Sequence, residues 1–181
     1  LGAGTSEISV ISLNGIVTSK TINKGGDYID DSIIDLFREK RKLDIGEATA
    51  EEIKNNLLSL RVKDAENSMT VDGRDLVSAA PKSVEIKSKD LVECIMPYAD
   101  EIVNMIYEVL EKIPPELTAD IKKDGFALTG GLSQIKGLRE YIENKLNLTS
   151  WIKVSGYKGN DDDDDDNNER VHWSETTLYS M

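Results

Sequence analysis

The chain has 181 residues, a net charge of −12 and 39% hydrophobic residues, which is enough for one domain or two small lobes with apolar cores. No window approaches the ~18 consecutive apolar residues of a membrane span, the first residues lack the basic and apolar segments of a signal peptide, and no basic face is concentrated enough to bind nucleic acid. More than half of the acidic excess falls in residues 159–181, where six consecutive aspartates, Asp161 to Asp166, join Glu169 and Glu175 against Arg170. The start at Leu1, without a methionine, is expected of a fragment. The single cysteine, Cys94, sits in a helical apolar pattern and is expected to be a buried thiol of a reducing cytoplasm.

Gly2-Ala3-Gly4-Thr5-Ser6 opens the chain as a small-residue turn. Its backbone N–H groups and the Thr5 hydroxyl suit phosphate oxygens, and they equally suit a plain loop. Ile8, Val10, Ile11 and Leu13 predict a half-buried strand over residues 7–13, Asn14-Gly15 predicts a two-residue hairpin loop, and residues 16–22 predict the returning strand. After Gly25-Gly26-Asp27, helical spacing of Tyr28, Ile29, Ile33, Ile34 and Phe37 runs up to the basic stretch from Arg38 to Lys42. Glu47-Ala48-Thr49-Ala50-Glu51-Glu52-Ile53-Lys54 announces a second helix, with Thr49 as N-cap, Glu52 completing a capping box, and Leu57, Leu58 and Leu60 closing the apolar side. Glu51 and Lys54, three apart, share a helical face, which suits an exposed ion pair as well as a ligand contact.

Met69-Thr70-Val71 and Ser83-Val84-Glu85-Ile86 predict short strands, with Asp72-Gly73 as the turn between them. Ser88, Asp90 and Leu91 open the longest helix, whose stripe of Leu91, Ile95, Met96, Ile102, Ile106, Val109 and Leu110 is expected to face a core. Pro114-Pro115 ends it, and a short helix runs from Glu116 to Ile121. Phe126-Ala127-Leu128 then enters Thr129-Gly130-Gly131, followed by helical spacing at Ile135, Leu138 and Ile142, which reads as a buried strand feeding a helix through a glycine turn. Two glycines let a ligand come close to the backbone, and a helix N-terminus offers unpaired N–H groups. An ordinary strand-to-helix turn carries the same pattern. Residues 151–154 predict a last strand. Residues 159–168 are of low complexity and repel themselves, which predicts an acidic, disordered tail over 159–181 rather than a tuned cation site.

In this order and at these spacings, Gly2-Ala3-Gly4-Thr5-Ser6-Glu7, Gly25-Gly26-Asp27, the block from Glu47 to Lys54, Pro114-Pro115-Glu116-Leu117 and Leu128-Thr129-Gly130-Gly131 closely resemble the second half of the MreB family of bacterial actin homologues. The resemblance implies an α/β fold of the actin-like ATPase, ribonuclease H-like type. Residues 1–25 and 90–158 would form a nucleotide-facing lobe, with residues 26–89 inserted as a smaller α+β lobe. It implies a cytoplasmic cytoskeletal ATPase that holds ATP and Mg2+ in the cleft of its full-length form. Such a protein self-associates into filaments at the inner face of the cell membrane, has membrane-associated cell-wall synthesis proteins as partners, and governs cell shape. By matched position, Gly2, Gly4 and Thr5 are implied to hold the β- and γ-phosphates, Glu51 and Lys54 to reach the ribose and adenine edge, and Gly130 and Gly131 to form the adenosine-side turn. No catalytic residue and no metal ligand is matched.

The departures from the family pattern are specific. The aspartate that opens the phosphate motif would precede Leu1, and Leu132 stands where the family has a third glycine, crowding the turn. The other phosphate loop and the water-positioning residue belong to the family's first half, and the sequence after Leu148 departs from the family's closing segment. These residues alone are therefore expected to be inactive as an ATPase. The departures favour an alternative, a non-catalytic actin-like interaction module. A division or pilus-assembly relative such as FtsA or PilM is a third reading, against which the match from Glu47 to Lys54 argues.

Overall fold

The computed structural model describes residues 1–13, 15–153 and 176–180, with the backbone alone for 151–153 and 176–180. Strands β1 (Ser6–Ser12) and β2 (Gly15–Ile22) form an antiparallel hairpin. Ser12 pairs with Gly15, so Gly15 belongs to the returning strand and not to the expected Asn14-Gly15 loop, and Leu13 takes a left-handed φ of 48°. The cause is a bulge: Val10 faces Thr18 while Ile11 faces Ile16, which leaves Val17 as an extra residue and shifts the turn.

Helix α1 (Gly26–Leu36) buries Ile29, Ile33 and Ile34 and runs into a π-helical turn, Phe37–Arg41, closed by Lys42 at φ 53°. After β3 (Leu43–Asp44), helix α2 (Glu47–Leu57) begins three residues earlier than a Thr49 cap would have it. Gly46 is the extended cap and its carbonyl accepts the Ala50 N–H at 3.0 Å, so Thr49 and Glu52 lie inside the helix and form no capping box. Leu58 and Leu60 lie beyond its end.

Strands β4 (Ser68–Asp75) and β5 (Pro81–Lys87) complete a sheet in the order β3-β4-β5. Asp72 and Gly73 are not a turn; they pair with Ser83 and Lys82 in mid-strand, and the turn falls at residues 76–80. The glycine serves a close approach instead, since a Cβ on Gly73 would stand 2.6 Å from the Asp44 carbonyl oxygen and 2.8 Å from Leu43 Cγ. Long α3 (Ser88–Leu110) and α4 (Pro115–Asp124) follow, then β6 (Phe126–Thr129), α5 (Leu138–Leu146), β7 (Ser150–Lys153) and β8 (Thr176–Ser180).

The larger sheet has the order β2-β1-β8-β6-β7, with β8 antiparallel to β1 and parallel to β6. The tail expected over 159–181 therefore does not extend to the end of the chain, because residues 176–180 form the middle strand. Thr176-Thr177-Leu178-Tyr179 has strand-favouring side chains, and its place joins two edges that would each leave backbone groups unpaired. The aspartate run lies outside the described residues.

Both sheets share one apolar core. It extends from Ile8 and Val10 of β1 through Ile33 of α1 and Leu91, Ile95, Tyr98 and Ile102 of α3 to Val71 and Ile86 of β4 and β5. The stripe on α3 faces inward, packed against β1, α1 and α5. Among the described residues, no helix is long and apolar enough to cross a membrane.

Candidate functional site

The loop at residues 1–5 and the turn at 130–132 meet. The Gly2 N–H donates to the Thr5 carbonyl at 2.9 Å and closes the loop, and the Leu132 N–H donates to the Leu1 carbonyl at 3.4 Å. Gly130, at φ 89°, lies directly beneath Leu1, for a Cβ there would stand 2.3 Å from the Leu1 oxygen. On its other side the loop is tied to α1: the Gly26 and Asp27 N–H groups donate to the Gly2 and Ala3 carbonyls, each at 3.0 Å. A side chain on Gly25 would strike the Ala3 oxygen at 2.2 Å. The first N–H groups of α1 are thus spent on the loop's carbonyls, while Ala3, Gly4 and Thr5 stay exposed.

These elements rim a cleft of about 820 Å³. Of the candidate residues, Gly2, Glu51, Lys54 and Gly131 line it; Gly4 and Thr5 stand outside its lining, and so does Gly130, covered by Leu1. The glycines divide by what the fold asks of them. Gly130 needs its bare Cα because its φ is positive and Leu1 presses on it, whereas a Cβ on Gly131 would meet nothing within 4 Å. A Cβ on Gly4 would make an ordinary 3.7 Å contact with Asp27 Oδ2. Bare backbone at Gly131 and Gly4 is therefore not a packing requirement of the folded chain.

The structure revises the expected strand-turn-helix. A 3-10 turn, Gly131–Gln134, and a left-handed Gly137 at φ 85° intervene before α5, whose N-terminus lies well beyond Gly131. Gly137 admits a second segment, because a Cβ there would lie 2.9 Å from the Arg61 nitrogen. The Leu60 N–H donates to the Lys136 carbonyl at 2.8 Å, and Ser59 bridges to Lys136. This pairing brings Ser59, Asp64 and Asn67 to the cleft, residues that no sequence motif marks because their placement comes from a contact with a distant part of the chain. Leu132 is buried in the core and also lines the cleft, beside Gly26.

Glu51 and Lys54 share a helical face without forming an exposed ion pair. Glu51 is exposed, whereas Lys54 is buried, its Nζ 2.6 Å from Asp30 Oδ2 and 3.4 Å from the Gly26 carbonyl oxygen. Asp30, on α1, is the group that sequence reasoning missed; a carboxylate one turn after Asp27 and flanked by buried isoleucines was its one signal. Burial pushes the Asp30 carboxyl above the ordinary aspartate range, opposed by the hydrogen bond from Lys54, with Glu51 and Asp27 adding to the upward push.

The family model of the MreB/Mbl protein matches residues 1–156. The chain belongs to the MreB/Mbl family. It is 36% identical over 148 residues to the cell shape-determining protein Mbl of Bacillus subtilis (strain 168), an overlap covering 82% of this chain and 44% of that protein. It is 38% identical over 138 residues to the cell shape-determining protein MreB of Escherichia coli (strain K12), covering 76% and 40%. The chain thus spans less than half the length of these curated MreB/Mbl relatives. Among solved structures, MreB5 of Spiroplasma citri bound to AMPPNP superposes with a TM-score of 0.80 at 34% identity, over 84% of this chain and 46% of that one. The MamK double helical filament, at 20% identity and a TM-score of 0.68, shares the fold. The architecture is that of the actin-like ATPases. The MreB/Mbl match continues past Leu148 to residue 156, and β8 lies outside it while occupying the middle of the sheet.

Proposed function

We propose that this chain supplies one wall of the ATP-binding cleft in a cytoskeletal ATPase of the MreB/Mbl kind, a protein that assembles into filaments and governs cell shape. The observation that carries the reading is the meeting of two bare-backbone loops, 2–5 and 130–131, at the rim of one cleft, with Gly131 open to it for no reason of packing. The relatives support it: the curated ones are cell shape-determining proteins, and MreB5 of S. citri has been solved with AMPPNP and with ADP.

In this reading the backbone of Gly4 and the Thr5 hydroxyl receive phosphate oxygens, Gly2, whose own N–H is used to close the loop onto Thr5, holds the loop's shape, Gly130 and Gly131 shape the adenosine side, exposed Glu51 accepts ribose hydroxyls, and Lys54 donates from the cleft wall. Bound ATP with Mg2+ supplies the phosphoryl group and the charge that neutralises it. Among the described residues no group of His, Cys, Asp and Glu side chains is placed to hold a metal; in this reading the chain's own residues position the nucleotide. Cleft closure and the orientation of attacking water fall to the part of the MreB/Mbl length that these residues do not span. A cytoplasmic place at the inner face of the membrane, with cell-wall synthesis proteins as partners, goes with the same reading.

The test is a titration of the native full-length protein with a fluorescent ATP analogue in the presence of magnesium. Saturable binding, displaced by ATP and by ADP, is expected. No binding would leave the non-catalytic actin-like module as the reading, and magnesium-dependent ATP turnover by the 181 residues alone would overturn the division of labour.

A further inference from the structure

Helices α1 and α2 are joined under the cleft by a single buried ion pair. The side chains of Lys54 and Asp30 are 9% and 13% exposed, whereas every other ion pair among the described residues has a partner more than a third exposed. An ammonium has three N–H donors; α1 engages two of them, through Asp30 Oδ2 and the Gly26 carbonyl, and Lys54 also lines the cleft. Asp30 does not line it. Its second oxygen, Oδ1, is buried with no hydrogen-bond partner among the described residues. A half-satisfied buried pair is a poor device for stability, since well-packed apolar residues often serve as well or better. It does fix where the ammonium sits. Gly26, whose carbonyl receives Lys54, donates its own N–H to the Gly2 carbonyl at 3.0 Å, so Asp30, Lys54, Gly26 and the 2–5 loop form one connected chain.

We propose that Asp30 is a positioning residue for the nucleotide: without touching it, Asp30 holds the Lys54 ammonium against Gly26, which presents the remaining N–H to the cleft and steadies the 2–5 loop. The inference rests on the nucleotide reading above. Without the carboxylate, the buried ammonium loses its counter-charge and leaves this place for water.

The test measures the affinity of the full-length protein for a fluorescent ATP analogue in Asp30→Asn, Lys54→Met and the double variant, with Gly131→Val as an independent probe of the cleft. Asp30→Asn is expected to weaken binding about tenfold, in the range of buried charge-pair couplings, and to cause no further loss once Lys54 is methionine. A purely structural role would give a loss that persists in the Lys54→Met background, and that result overturns the proposal. Unchanged or tighter binding by Asp30→Asn overturns it too. If Asp30→Asn loses cooperative melting, Lys54→Arg takes its place: it keeps the charge but alters the geometry, and unchanged affinity there overturns the proposal. Weaker binding by Gly131→Val with unaltered binding by Asp30→Asn sinks this inference alone. No binding by the wild type sinks the nucleotide reading and this inference together.

Discussion

The carbonyl oxygen of Leu1 stands 2.3 Å from the place a Cβ would occupy on Gly130. That close approach joins two loops about 130 residues apart along the chain, and it gives two adjacent glycines different work. Gly130→Ala is expected to lower the melting temperature, because a positive φ of 89° and a backbone clash act together, at a cost of about 1–3 kcal/mol or more. Gly131→Ala is expected to change stability by no more than about 0.5 kcal/mol while weakening nucleotide binding. Thermal melts of the two variants, run beside nucleotide titrations, check the pair; equal destabilisation would show that Gly131 is a packing glycine after all.

Glu66 receives Lys87 and Lys89, each at 2.6 Å, and these hydrogen bonds hold its carboxyl at about 2, below its ordinary 4.5. A carboxylate with a depressed folded pKa stabilises the fold above its unfolded pKa and loses that contribution as pH falls through the folded value. Asp44, bound by Arg74 and Arg38, shifts the same way. The melting temperature of Glu66→Gln is therefore expected to fall slightly below wild type at pH 6, and the gap to close on acidification from about pH 4.5 towards pH 2. The gap should also shrink in high salt, because the partners are exposed. A difference of the same size at both ends of that pH range contradicts the assignment.

Cys94 lies in the core at 4% exposure, its thiol 3.5 Å from the Ser32 carbonyl oxygen, and burial pushes its pKa up to about 12. Thiolate is the reacting form, so at pH 8 a disulfide reagent is expected to modify the folded protein at least about 100-fold more slowly than the denatured chain. Comparable rates in the two states would place Cys94 at the surface.

Much of the fold was legible locally. Alternation marked β1 and β2, helical spacing marked α1 and α3, and the apolar run before Thr129 marked β6. The errors share a cause. Asp72-Gly73 has turn chemistry yet lies in β4, because the glycine makes room for β3. Asn14-Gly15 has hairpin chemistry, yet the register shifts at a bulge opposite Val10 and Ile11, and Gly15 pairs with Ser12 inside the strand. In each case a neighbouring strand overrode a local preference worth a few tenths of a kcal/mol to about 1 kcal/mol.

What the order of amino acids determined by itself is the run of elements, the positions of the glycine-rich loops, and the kinship that their spacing carries, because periodicity and backbone freedom are properties of neighbours along the chain. Tertiary structure alone decided that Lys54 turns inward to Asp30 and not outward to Glu51, that Gly130 serves Leu1 while Gly131 faces open space, and that residues 176–180 enter the sheet beyond an aspartate run. Which carboxylate meets a lysine, and what fills the space over a glycine, depends on groups brought together only when the core closes, and those groups lie too far apart along the chain for any local pattern to encode.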